Sequence, residues 1–66
     1  MADRYYDAII KGWKWDQLYA DSIGGYIYED KKGRFGDGTF IHTSIVKEIT
    51  EDGYAITLNS TYKLEK

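Results

Sequence analysis

Residues 33–66 read GRFGDGTFIHTSIVKEITEDGYAITLNSTYKLEK. Runs rich in aromatic and β-branched residues alternate there with Gly, Asp and Asn punctuation. That is the pattern of a compact β-meander or small barrel. Thr39 to Ile49 forms one candidate strand. Ile41, Thr43, Ile45 and Ile49 share one parity, and Phe40, His42, Ser44, Val46 and Glu48 the other. The apolar set changes phase near Ser44, which predicts a bend or bulge. Glu51–Gly53 reads as a hairpin turn. Tyr54, Ile56 and Leu58 then alternate with Ala55, Thr57 and Asn59. Asn59-Ser60 is a second turn, and Tyr62 and Leu64 mark a last short strand.

Working back from Gly33, Tyr5 to Trp15 reads as the first strand. Ile9, Lys11, Trp13 and Trp15 lie on one parity, and Ala8, Ile10, Gly12 and Lys14 on the other. Each face is apolar at one end only, so a bulge is expected near Gly12. Asp16–Ser22 reads equally as one helical turn or as a continued hairpin. Gly24-Gly25 reads as a turn before a short strand, Tyr26–Tyr28. Gly33, Gly36 and Gly38 crowd a tight loop. The expected architecture is all-β with room for one short helical turn: a small five-stranded antiparallel SH3-like or OB-like barrel, one domain over residues 1–66.

The chain has 66 residues and no cysteine. A fold of this size has a marginal core and usually needs a staple, and neither a disulfide nor a thiolate zinc site is open to it. Its seven Tyr, two Trp and two Phe are the compensating resource, because rings bury much area with few rotors. Self-association is another route to stability, so a homo-oligomer is one expectation. The net charge of −2 is not the basic balance of a typical DNA-binding module. No apolar run is long enough to span a membrane, and MADRYYDAII lacks a signal-peptide layout. A soluble cytoplasmic protein is expected.

No catalytic constellation is legible. His42 is the lone histidine, and its neighbours Thr43 and Ser44 point to alternate faces of a strand. The carboxylates are scattered or sit at turns, so no enzymatic role, metal site or cofactor is expected. GRFGDG matches neither a phosphate loop nor a dinucleotide fingerprint; it reads as a β-turn loop or as a rim that closes over a partner. The suggestive cluster is Lys11, Trp13, Lys14, Trp15, Tyr26, Tyr28, Lys31, Lys32, Arg34 and Phe35. Rings interleaved with cations suit stacking on nucleobases or a protein-binding hot spot. Trp13, Trp15, Tyr26, Tyr28, Arg34 and Phe35, with His42, are therefore the candidate binding residues. So small a core cannot hold eleven rings, and at least two are expected outside.

Two resemblances add to this. Asp37, Gly38, Ile41, Thr43, Ser44 and Val46, followed by Thr57, Asn59, Ser60, Tyr62 and Leu64, resemble the Asp-Gly-x-x-Ile-x-Thr-Ser-x-Val and Thr-x-Asn-Ser-x-Tyr-x-Leu blocks of small proteins carried by phages and mobile elements. GWKW at Gly12–Trp15 resembles the start of such proteins. The match spans about half the chain. The resemblance implies a viral accessory setting, in which a non-enzymatic protein blocks host antiviral defence by covering a defence protein or by sequestering a nucleotide signal. KWDQ at Lys14, KKGRFG at Lys31 and TFIHTSIV at Thr39 resemble segments of the cold-shock domain, which implies single-stranded nucleic-acid binding as the alternative. The second Phe of the first cold-shock motif is missing, the spacer between the two binding strands is collapsed, and the C-terminal half does not match.

Overall fold

The computed structural model describes residues 5–65, so residues 1–4 and 66 of the expected domain lie outside the described residues. Six strands form one mixed sheet: β1 (Ala8–Trp15), β2 (Ile23–Tyr28), β3 (Thr39–His42), β4 (Val46–Ile49), β5 (Tyr54–Thr57) and β6 (Thr61–Glu65). Their order is β3-β2-β1-β6-β5-β4. The all-β expectation holds. The five-stranded antiparallel barrel does not: β1 and β6 pair in parallel at the sheet centre, and no ladder joins the edge strands β3 and β4.

The expected bend accounts for the sixth strand. Backbone 39–49 breaks at Thr43–Ile45, so its first part pairs with β2 and its second with β5. A flat six-stranded sheet would hold its edges about 24 Å apart at about 4.8 Å per strand. Yet His42 and Val46 are only four residues apart, a reach of about 14 Å. The sheet must curl. Irregular hydrogen bonds stitch the curled end: the Val46 N–H donates to the Asp21 carbonyl (2.7 Å) and the Leu58 N–H to the Ile45 carbonyl (3.1 Å).

The bulge expected near Gly12 is present. Lys11 pairs with Tyr26 but Lys14 with Gly24, so three steps on β1 oppose two on β2. Gly12 takes the extra residue at φ 62°, a conformation that costs glycine little. The bulge swaps parity, placing Trp13 on the same face as Ala8 and Ile10. That face carries the core of Ala8, Ile10, Ile27, Ile41 and Tyr62, against which Trp13 and Leu64 pack.

Gly24-Gly25 is not a turn. Both residues lie inside β2 and are buried. They are glycines because of what crosses them. A Cβ on Gly25 would stand 2.4 Å from Ile10 Cγ2, and one on Gly24 would stand 3.1 Å from Phe40 Cζ. Asp16–Ser22 forms neither a helix nor a hairpin ladder but a closed loop, with the Asp16 N–H bonded to the Ser22 carbonyl. Among the described residues there is no helix, and none long and apolar enough to cross a membrane.

Loop 29–38 is organised by Asp30, whose side chain is inaccessible to solvent. Its two oxygens accept from the N–H groups of Lys32, Arg34 and Phe35 and from Arg34 Nε and Nη2. Lys32 and Arg34 then reach the β5–β6 turn, both bonding Ser60 Oγ. This loop is pinned to the sheet.

Candidate functional site: a row of rings on the outer face

The register of β2 and β3 sets Tyr26 opposite Phe40 and Gly24 opposite His42. All four project to the face away from the core, since the alternate residues Ile27 and Ile41 are buried. Gly24 has no side chain, so the Phe40 and His42 rings lie down over it. The result is a continuous edge-to-face series. Tyr26 and Phe40 have centroids 5.1 Å apart at 75°, Phe40 and His42 5.4 Å at 82°, and His42 and Tyr19 5.8 Å at 71°. These are favoured geometries for aromatic pairs. Tyr19, Tyr26 and Phe40 are each about half exposed (58, 47 and 46%).

Asp16 holds the far end of the row. Its Oδ1 accepts from the Leu18 and Tyr19 N–H groups at 2.7 and 3.2 Å, and its Oδ2 accepts from His42 Nδ1. The backbone hydrogen bond from Leu18, reinforced by those of Tyr19 and His42, holds the Asp16 carboxyl below the ordinary aspartate value against the opposing effect of burial. One carboxylate thus shapes the 16–22 loop, aims the imidazole and presents Leu18, which is 84% exposed.

Two depressions adjoin the row. One of about 260 Å³ is lined by Lys14, Trp15, Leu18, Phe40 and His42. The other, of about 710 Å³, is lined by Leu18, Tyr19, His42, Ile45 and Leu58. Leu18 and His42 border both, so the surface from Tyr26 to Leu58 is continuous. Ile45 and Leu58 are exposed as well. The Thr43 hydroxyl does not join His42; it accepts from the Ile23 N–H and donates to the Ser44 carbonyl. Among the described residues no three His, Asp or Glu side chains gather as a metal site.

Of the residues expected from sequence, Tyr26 and His42 stand together in this row. Trp15 borders the smaller depression, edge-on to Trp13 at 6.3 Å. Trp13 itself packs on the core. Tyr28 is half-buried, with the Lys11 ammonium 4.7 Å from its ring. Arg34 is tied to Asp30, Ser60 and Tyr62, and Phe35 is exposed beside it in the same loop. These last two belong to loop 29–38 and not to the ring row. Sequence reasoning missed Phe40, Tyr19, Leu18, Ile45 and Leu58. The Phe40-x-His42 alternation was the available signal, but only the pairing register brings it against Gly24 and Tyr26.

The residues of the phage-type pattern have structural duties here. Asp37 accepts the Glu29 N–H, Ile41 and Tyr62 are core, and the Thr57 hydroxyl bonds both the N–H and the carbonyl of Ser60. Ser60 receives Lys32 and Arg34. No family model, curated protein or solved structure matches the chain.

Proposed function

We propose that this chain is a non-enzymatic binding protein of the phage accessory type, working in the host cytoplasm, that antagonises antiviral defence by covering the surface of a defence protein. The contact face runs from Tyr26 through Phe40, His42 and Tyr19 to Leu18 and Leu58. One observation carries this reading: the largest exposed apolar side chains of the loop ends and the outer sheet face form one surface on a pinned frame. Contiguous apolar surface of that kind marks interaction sites. A standard protein interface takes about 800 Å² from each partner, a modest share of the 4450 Å² that this chain exposes.

Sequestering a nucleotide is the less favoured mechanism. The depression beside Phe40 and His42 holds about 260 Å³, short of the roughly 300–1,000 Å³ that usually engulfs a small ligand. Single-stranded nucleic acid is the second reading. Lys11 and Lys14 project beside the ring row, opposite Tyr26 and Gly24, and cations beside stacked rings suit a single strand.

The test is a plating assay in a host carrying the defence system, with binding to the defence protein measured in parallel. Phe40→Ala and Leu18→Asp are each expected to weaken partner binding by about 30-fold, the effect of a hot-spot residue. Both should leave the urea midpoint nearly unchanged, because neither side chain belongs to the core. Full protection of phage by the double variant would reject this face as the contact. Strong, steeply salt-dependent binding of mixed-sequence single-stranded DNA would move the assignment to the second reading.

A further inference from the structure

We infer that two copies of this chain pair through the free edge of β3, antiparallel about a two-fold axis at Ile41, and that the dimer doubles the ring row. This rests on the binding role proposed for that face and extends it by naming the assembly that displays it.

The hydrogen-bonding parity of β3 is set by the Thr43 N–H, which donates to the Ile23 carbonyl at 2.9 Å. Antiparallel pairing alternates, so Ile41 also turns its N–H and carbonyl toward β2, opposite Gly25. Phe40 and His42 therefore direct theirs outward, to the open edge. An exposed edge of this kind is a template for another strand. Its ideal occupant is itself. With Ile41 on the axis, Phe40 of one copy faces His42 of the other, and the reciprocal pair repeats this on the far side. Both are positions whose backbone groups point outward, so each pair exchanges two N–H···O bonds.

The side chains suit the same register. Phe40 and His42 share the outer face, so the pairing sets each ring beside a ring of the second copy at cross-strand distance, an arrangement that stabilises sheets. On the inner face Ile41 meets Ile41 across the axis. At the ends, Gly38 falls opposite Ser44 and Thr39 opposite Thr43, so no bulky side chain obstructs the approach. His42 is already matched with Asp16, and the register brings no like charges together. Because the rings stand perpendicular to the sheet, they stay accessible, and Tyr26–Phe40–His42 continues into its symmetry mate. A chain with no cysteine and so small a core gains stability from such a partner.

Amide hydrogen exchange and sedimentation equilibrium on the full chain test this. A dimer is expected, with protection at the Phe40 and His42 amides that disappears on dilution. Phe40→Pro removes an outward N–H without touching the β2 ladder, and should abolish the dimer, whereas Phe40→Ala should weaken it. A monomer at every concentration, or a dimer whose Phe40 and His42 amides exchange freely, overturns the inference. Should Phe40→Pro fail to fold, the exchange measurement on the unaltered chain still decides. Partner binding by a strictly monomeric protein would leave the proposed function standing and remove only the dimer.

Discussion

Gly25→Ala is expected to cost about 2–3 kcal/mol, the range for forcing a group into a filled core, and to lower the melting temperature by about 10 °C or more. Gly25 carries no positive φ, so the penalty is one of space. The added Cβ would stand 2.4 Å from Ile10 Cγ2, 3.1 Å from the Lys11 carbonyl oxygen and 3.2 Å from Trp13 Cα. The first neighbour is the branched end of a wholly buried side chain. The other two are backbone at the bulge and cannot move without unpicking the β1–β2 register. A domain of this size has only about 3–5 kcal/mol in total, so the variant should approach half-unfolded under mild conditions. Thermal unfolding followed by circular dichroism checks it. A melting curve equal to that of the parent chain would mean that β1 and β2 are not in close contact at Gly25.

The second large effect concerns Asp30. Asp30→Ala removes five acceptor contacts, three from backbone N–H groups and two from the Arg34 guanidinium. It is expected to destabilise by about 2–4 kcal/mol, since hydrogen bonds to charged groups are the stronger ones and donors are left without an acceptor. Asp30→Asn keeps the shape and should cost about half as much.

The pH dependence follows from the carboxylate. Burial alone would push the Asp30 carboxyl up, but the hydrogen bonds from Arg34 and from the Lys32 N–H outweigh it and hold it below its ordinary value. A depressed pKa means that the unfolded chain takes up the proton first. The stability from Asp30 is thus whole above about pH 4, the unfolded value, and is lost as pH falls through the lower folded value. Asp16, depressed as well, adds loss in the same direction. Urea midpoints measured across acid pH should fall steeply for the parent chain and less steeply for Asp30→Asn. Equal slopes would remove Asp30 as the acid-sensitive clamp.

Much of the fold was legible beforehand because local patterns carry it. The phase change across Gly12 announced the bulge, and the phase change at Ser44 announced the break between β3 and β4. The Glu51–Gly53 turn is where expected, with the Gly53 N–H bonded to the Thr50 carbonyl. Gly24-Gly25 misled for a physical reason. Glycine serves turns and close crossings alike, and only the position of Ile10 and Phe40 distinguishes the two. Parallel β1–β6 pairing was invisible for a related reason, as nothing local in either segment names its neighbour.

The site was half legible. Surplus rings were expected outside, and six of the eleven are. Which ones stay outside depended on the bulge that turned Trp13 inward and on Asp30, which claimed Arg34. Composition and alternation alone determined that this chain folds as sheet, where it bends, and that its aromatic content exceeds its interior, because side-chain periodicity and volume are properties of the linear chain. Strand order, register and the gathering of Tyr26, Phe40, His42 and Tyr19 into one surface were decided only by tertiary structure, because contacts between distant segments arise from how strands choose partners in space.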